Sequence, residues 1–236
     1  MPLLSKRLRS LDNRGIAAVE FALILPLMLV IFLGLVELLG GIRTGQRLDL
    51  LAHTLSDLTA QKLDCPNPAA GTSATNCKTG QAGLSENDIS QIFSAANVLM
   101  GLQPNDASVK MVISEVNIAA TSSTTWQAQT NWTVTRNGGS PRPCKQPLTP
   151  ANAAPVSVNT IATSYVQPSN GVNPTTGPLI IADVIYNYAP KFGFEMYKWN
   201  SAPTLTMQRT NYARPRNAGH IQYYMTSGTN CNGSTP

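Results

Sequence analysis

An uninterrupted apolar run from Ile16 to Leu39 is the strongest hydrophobic pattern in the chain, and Glu20 and Glu37 are its only charged residues. As a helix rising about 1.5 Å per residue, this run covers about 36 Å, which exceeds the roughly 30 Å of a bilayer's hydrocarbon core. It therefore predicts a membrane-spanning helix over residues 16–39. Pro26 predicts a bend in this helix, since membrane helices tolerate proline.

Basic residues precede the apolar run, at Lys6, Arg7, Arg9 and Arg14. By the positive-inside rule, they keep the short N-terminus in the cytoplasm and export the chain that follows residue 40. The alternative is a cleaved secretory signal peptide, but no pattern of small residues for signal peptidase follows, and Glu37 lies where such a site would stand. The pattern favours a retained anchor, and hence the lipid bilayer as a partner.

A second pattern continues after the membrane, where leucines recur every three or four residues at Leu48, Leu51, Leu55 and Leu58. This spacing is typical of one apolar helical face, and it predicts a juxtamembrane helix over residues 40–63. Glycines at positions 40, 41 and 45 predict a bend near the membrane surface.

The remaining residues, 64–236, predict an extracytoplasmic α+β domain. A helix start at Ser85 and apolar spacing to Leu99 predict a helix over about 86–100. Alternation predicts four strands of an antiparallel sheet, over Val109–Ile118, Thr124–Arg136, Leu179–Tyr188 and Pro203–Tyr212. The loop between the last two carries Phe192, Phe194, Tyr197 and Trp199. Covering the sheet edge is the favoured role of this loop, and an exposed contact patch is the alternative.

Four cysteines at wide spacings lack the paired spacing of a zinc or redox site: Cys65, Cys77, Cys144 and Cys231. Their even number predicts two disulfides, and hence an oxidising compartment. Three connectivities are possible. We favour Cys65–Cys77, which closes a short polar loop, together with Cys144–Cys231, and the sequence leaves the choice open.

The net charge of +5 excludes little, because the four basic residues before the span account for more than half of it. The densest later cluster is Arg209, Arg214 and Arg216, which we interpret as surface charge or a partner contact. No basic face typical of a nucleic-acid-binding protein is predicted.

The sequence contains few residues that could act in catalysis. The two histidines, His53 and His220, are far apart in sequence, and we interpret both as surface or interface residues. No nucleotide-binding loop or metalloprotease motif occurs. The sequence predicts a non-enzyme with no cofactor and no metal.

Glu20 needs a partner, because a carboxylate near the start of a membrane helix is costly unless it is paired. A cut between Gly15 and Ile16 would supply one, since the new α-amino group would lie about one turn from Glu20. The stretch Arg14-Gly15-Ile16-Ala17-Ala18-Val19-Glu20-Phe21-Ala22-Leu23-Ile24-Leu25-Pro26 resembles the N-terminus of the TadE-like minor pseudopilins of tight-adherence (Tad, type IVc) pili. The resemblance covers residues 14 to about 50, and only a late strand and Arg214-Pro215 continue it.

The resemblance implies that a prepilin peptidase removes a leader, residues 1–15, by cutting between Gly15 and Ile16, and that Glu20 acts in helix packing and assembly. It also implies an inner-membrane protein with a periplasmic domain of pilin-like outline, acting in pilus biogenesis and adhesion. The implied partners are prepilin peptidase, other pilins and pseudopilins, and the inner-membrane pilus assembly platform. The alternatives are an unprocessed anchored envelope protein that binds a partner and an anchored enzyme.

Overall fold

The computed structural model describes residues 5–62, 81–103, 106–152, 157–189, 205–217, 219–224 and 229–231. The predicted Cys65–Cys77 loop and the aromatic segment from Phe192 to Trp199 lie outside these residues. The chain forms two compact units, one of residues 1–43 with 189–205 and one of residues 44–188 with 206–236. Between them they contain a long apolar helix and an antiparallel sheet with further helix, so the predicted α+β class is confirmed.

Helix α1 runs from Ser5 to Ala60, so it contains the predicted span, most of the predicted juxtamembrane helix and the glycines at positions 40, 41 and 45. In its second half Leu48, Leu51 and Leu55 are fully buried, as their spacing predicts, whereas Leu58, predicted on the same face, is 38% exposed. Two residues far along the chain cap the C-terminal end of this helix. The Arg216 N–H donates to the Ala60 carbonyl at 3.1 Å, and the Asn217 side-chain amide donates to the Gln61 carbonyl at 3.1 Å. These bonds satisfy carbonyls that a helix end otherwise leaves without partners.

Helix α2 spans Glu86–Leu99 and starts at a capping box. The Asp88 N–H donates to the Ser85 hydroxyl at 3.2 Å, and the Ser85 N–H donates to the Asp88 carboxylate at 3.0 Å. At the other end Gly101 has φ +76°, a conformation that favours glycine. Its N–H donates to the Val98 carbonyl. The predicted helix over 86–100 is confirmed.

The described residues form nine strands: β1 Gln81–Ser85, β2 Val109–Ala120, β3 Trp126–Arg136, β4 Thr149–Ala151, β5 Thr160–Ala162, β6 Gly177–Tyr188, β7 Leu205–Ala213, β8 His220–Tyr224 and β9 Thr229–Asn230. The main sheet has five of these strands, in the order β7-β6-β2-β3-β9. Strand β2 pairs antiparallel with both β3 and β6. Strands β2, β3, β6 and β7 correspond to the four predicted strands. Two short parallel pairs, β1 with β8 and β4 with β5, complete the pattern.

The two central strands, β2 and β6, are buried on both faces. One face packs against buried side chains of α1 and α2, including Leu51 and Phe93. The other face packs under the segment of β4, β5 and the 3₁₀ turn at Thr163–Tyr165, through residues such as Leu148 and Ile161. Burial on both faces explains the continuous apolar run in β6. It also explains why the buried charged residues Glu115 in β2 and Asp183 in β6 need dedicated partners.

Candidate functional site

Between Ile16 and Ile42, α1 exposes nearly all of the large apolar side chains that the structure describes. Phe21, Leu23 and Val30 are 66%, 74% and 66% exposed. The most apolar window of this helix has a mean hydropathy of 2.7, and none of it is buried. The helix is long and apolar enough to cross a membrane. Such a surface is costly in water, and this one N-terminal helix fits a single-pass membrane protein.

Gly15, Ile16 and Glu20 all lie on this exposed helix, and Ile16 is 52% exposed. Glu20 lies four positions after Ile16, so both lie on one face about one turn apart. A Cβ atom added at Gly15 would meet no described atom within 4 Å. Packing among the described residues therefore gives no reason for glycine here, whereas glycine does weaken a helix relative to alanine, by about 1 kcal/mol.

Residues 15–54 match the family model of TadE-like proteins. This match confirms the predicted resemblance, and we call these residues the TadE-like segment. The segment contains Gly15, Ile16 and Glu20 as well as the exposed His53, and it ends within the buried part of α1. Neither the curated proteins nor the solved structures give a match to the chain. The family match therefore covers no residue beyond position 54.

A disulfide joins Cys144 to Cys231, with 5.0 Å between their Cα atoms. It is the pairing favoured from the sequence for these two cysteines. Beside it, the short strand β9 pairs with β3 at Trp132 and Thr133, and the Cys231 N–H donates to the Asn131 carbonyl at 2.8 Å. The disulfide therefore ties Cys231, next to β9, to the segment that follows β3.

Strand β8 docks on the main sheet through side chains, a contact that the sequence did not reveal. Glu115, only 3% exposed, accepts a hydrogen bond from the Ile221 N–H at 3.0 Å. The Trp132 indole N–H donates to the Ile221 carbonyl at 2.6 Å. The Trp132 and Tyr223 rings pack with 5.4 Å between their centroids. Both backbone groups of one residue are thus bound by side chains of the sheet.

His220 completes this contact, with its Nδ1 3.4 Å from the Glu115 carboxylate. The sequence pattern around His220 is that of a polar tail, but the residue begins strand β8. The Glu115 carboxylate raises the pKa of His220 above its usual 6.5, and partial burial opposes this rise. When it is protonated, His220 supplies a positive charge beside this buried carboxylate.

Because the pKa of His220 is raised on folding, its contribution to stability is complete below pH 6.5 and is lost as the pH rises through the folded-state pKa. We expect the urea concentration at the midpoint of unfolding of the detergent-solubilised protein to decrease as the pH is raised from about 6 to about 8. The His220→Gln variant should show less of this fall, and the matched His53→Gln variant should keep it. The free energy of unfolding should decrease by less than about 1 kcal/mol over this pH range, because the His220 side chain is 43% exposed. An equal fall in the wild type and in the His220→Gln variant would contradict this assignment.

A buried ion pair lies on the opposite face of the sheet, between Arg142 and Asp183. Their side chains are 0% and 1% exposed, and Arg142 Nη2 donates to Asp183 Oδ2 at 2.7 Å. Arg142 Nη1 donates to the carbonyls of Thr160 at 2.9 Å and Val158 at 3.1 Å. Burial raises the pKa of Asp183, and the Arg142 charge and the Thr210 hydroxyl, which donates at 2.6 Å, oppose that rise. This network ties β6 and β7 to the covering segment that carries β5.

The arginine cluster predicted as surface charge or a partner contact makes contacts within the chain. Arg209 lies 3.9 Å from Asp49, and Arg216 lies 3.1 Å from Asp57, so both pair with α1. Arg214 donates to the carbonyl of Thr175 at 2.8 Å. All three side chains therefore help to fix the end of β7 and the segment after it.

Chemistry of the enzymatic kind is not suggested by these clusters. Among the described residues, no group of three or more His, Cys, Asp or Glu side chains could hold a metal ion. The two buried carboxylates, Glu115 and Asp183, each already bind backbone or cationic donors. These bonds hold strand β8 and Arg142 to the main sheet.

Proposed function

We propose that the chain is a minor pseudopilin-like structural component of a Tad (type IVc) pilus assembly apparatus. The observation that carries this proposal is the TadE-like match over residues 15–54, on a helix whose first half exposes apolar side chains. In this function α1 anchors the protein in the inner membrane, with the N-terminus cytoplasmic and the disulfide-bonded domain periplasmic. The four basic residues before the span support that orientation.

Prepilin peptidase is the proposed processing enzyme, cutting between Gly15 and Ile16. Both residues are exposed on α1, and glycine lowers the cost of locally unwinding the helix for cleavage. The cut would leave a positive α-amino group on Ile16. Glu20, one turn further on, would then neutralise this amine or that of a neighbouring subunit as helices pack side by side.

Other pilins and pseudopilins, together with the membrane assembly platform, are the proposed partners of the exposed helix. Its apolar side chains can pack against lipid or against similar helices at little cost. The exported domain, braced by the Cys144–Cys231 disulfide and the Arg142–Asp183 pair, would act as a compact body in pilus biogenesis and adhesion.

The N-terminal residue of the mature protein tests this function. In membranes of the native host, mass spectrometry should find a start at Ile16 for the wild type. The Gly15→Ala variant should keep residues 1–15. The matched control is Gly34→Ala on the same helix, where an added Cβ also meets no described atom within 4 Å, and it should be processed normally.

The other outcomes of this measurement are equally informative. A wild-type start at Met1 or Pro2 would rule out the pseudopilin mechanism and leave an unprocessed anchored protein that binds a partner. A start beyond residue 34 would mean that the apolar helix is removed as a secretion signal.

A further inference from the structure

An exposed two-residue turn at Asn170 and Gly171 lies between the 3₁₀ turn and strand β6. The Val172 N–H donates to the Ser169 carbonyl at 2.9 Å, and the Ser169 N–H donates to the Val172 carbonyl at 3.1 Å. Asn170 has φ +51° and Gly171 has φ +77°, as in the type I′ turns that Asn-Gly favours. Residues 167–173 are all exposed, Val172 by 70%. The turn therefore presents an Asn-Gly peptide bond to water.

A second Asn-Gly step, Asn137-Gly138, follows strand β3 and shares this backbone conformation, with φ values of +57° and +74°. Its side chain, however, is held in place. The Asn137 side-chain amide donates to the Asp106 carbonyl at 3.0 Å and to the Val109 carbonyl at 2.7 Å. No hydrogen bond joins the Asn170 side chain to another described residue. The two steps thus share their sequence and the sign of their φ angles, but only Asn137 has a bound side chain.

Asparagine followed by glycine is able to deamidate without an enzyme. The backbone nitrogen of the glycine forms a bond to the side-chain carbonyl carbon, and the bond from that carbon to the amide nitrogen breaks. Ammonia leaves with the proton of the attacking N–H. Water then opens the cyclic succinimide to aspartate or isoaspartate, so the net reaction consumes water, releases ammonia and changes no oxidation state. Glycine favours this attack because it has no Cβ atom to hinder it.

The fold sets a different barrier to this attack at each step, because the asparagine has to rotate out of its turn conformation. At Asn170 this opening breaks the two backbone bonds of an exposed turn. At Asn137 it also breaks both bonds of the side-chain amide. The turn at Asn137 is packed as well, because a Cβ atom added at Gly139 would lie 2.7 Å from the Met111 carbonyl oxygen. Opening an exposed turn costs less free energy than opening a packed one.

We propose that Asn170 is a site of spontaneous deamidation in the folded protein, with the Gly171 nitrogen as the attacking atom, and that the fold protects Asn137. The product carries a new negative charge at position 170. In the isoaspartate form the main chain gains an extra carbon atom, which disrupts the two backbone bonds of the turn. This modification of the chain before β6 does not depend on the proposed pilus function.

Peptide mapping by mass spectrometry tests the proposal on the full chain in detergent, incubated in a mildly alkaline buffer made with heavy-oxygen water. The heavy oxygen enters only carboxylates that form during the incubation. We expect deamidation several-fold faster at Asn170 than at Asn137. Asn173 is the control in the same exposed segment, and it should stay unlabelled because Pro174 has no N–H to attack with. A third step, Asn232-Gly233, lies outside the described residues and is assigned separately by fragmentation.

The same incubation in guanidinium chloride separates the effect of the fold from that of the sequence. In the unfolded chain Asn170 and Asn137 should deamidate at similar rates, because glycine follows each of them. The Gly171→Ala variant, compared in denaturant where the turn is absent, should deamidate several-fold more slowly at Asn170. Its rate at Asn137 should be unchanged.

Three results would overturn the proposal. In the folded protein, a rate at Asn170 no faster than that at Asn137 would contradict it directly. A ratio of the two rates that is no larger in the folded protein than in denaturant would show that the fold plays no part. Labelling at Asn173 as fast as at Asn170 would rule out attack by the following backbone nitrogen.

Discussion

Replacing Arg142 by methionine is expected to lower the free energy of unfolding by about 3–5 kcal/mol. The change leaves the Asp183 carboxylate buried without its cationic partner, while the Thr210 hydroxyl still donates to it. It also removes the donors to the carbonyls of Val158 and Thr160. Urea unfolding of the protein in detergent, followed by tryptophan fluorescence, measures this loss.

Two further variants show whether the uncompensated charge causes the loss. Arg142→Met combined with Asp183→Leu should be more stable than Arg142→Met alone, because it removes the buried charge as well as its partner. Arg216→Met, in a pair whose side chains are 61% and 41% exposed, should cost no more than about 1 kcal/mol. If Arg142→Met cost as little as Arg216→Met, the buried pair would not stabilise this face of the sheet.

Replacing Cys144 and Cys231 together by serine is expected to lower the free energy of unfolding by about 2–5 kcal/mol. The two cysteines are 87 positions apart, so their disulfide strongly restricts the unfolded chain. The double replacement avoids a lone thiol that could exchange with other cysteines. Without the disulfide, strand β9 still pairs with β3 at Trp132 and Thr133, and the backbone bond to Asn131 remains.

The same urea experiment, together with hydrogen exchange at residue 231, checks this expectation. The amide at position 231 should exchange much faster in the double variant than in the wild type, while amides of β2 should exchange at rates set by global unfolding. An unchanged urea midpoint would mean that the tail is held by its backbone bonds alone. A reductant added to the double variant then reports any contribution from the remaining cysteines.

Local patterns predicted the regular elements well. The leucine spacing at positions 48, 51 and 55 predicted the buried face of α1, and the Ser85 helix start predicted where α2 begins. The alternating positions of β3 are buried, Ala128 in the core under β4 and β5 and Trp132 and Val134 in the core against α1 and α2, with a register shift between them. Each of these signals depends on residues within a few positions of one another.

The short strands could not be predicted in the same way. Strand β8 has five residues and β1 has five, and they pair with each other in parallel although they are far apart in sequence. Neither is long enough for periodicity to distinguish it from a loop. The local pattern therefore placed His220 in a polar tail, although Glu115 lies 3.4 Å from it in the structure.

The sequence alone predicted the apolar helix and the α+β class. It also placed Glu20 about one turn beyond the Gly15-Ile16 bond. These features follow from composition and spacing along a single stretch of residues. The folded structure was needed to show that Cys144 pairs with Cys231, that Arg142 neutralises Asp183, and that Glu115 binds β8. Such pairings join residues from distant strands, and they depend on the path of the chain because only folding brings them within a few ångströms.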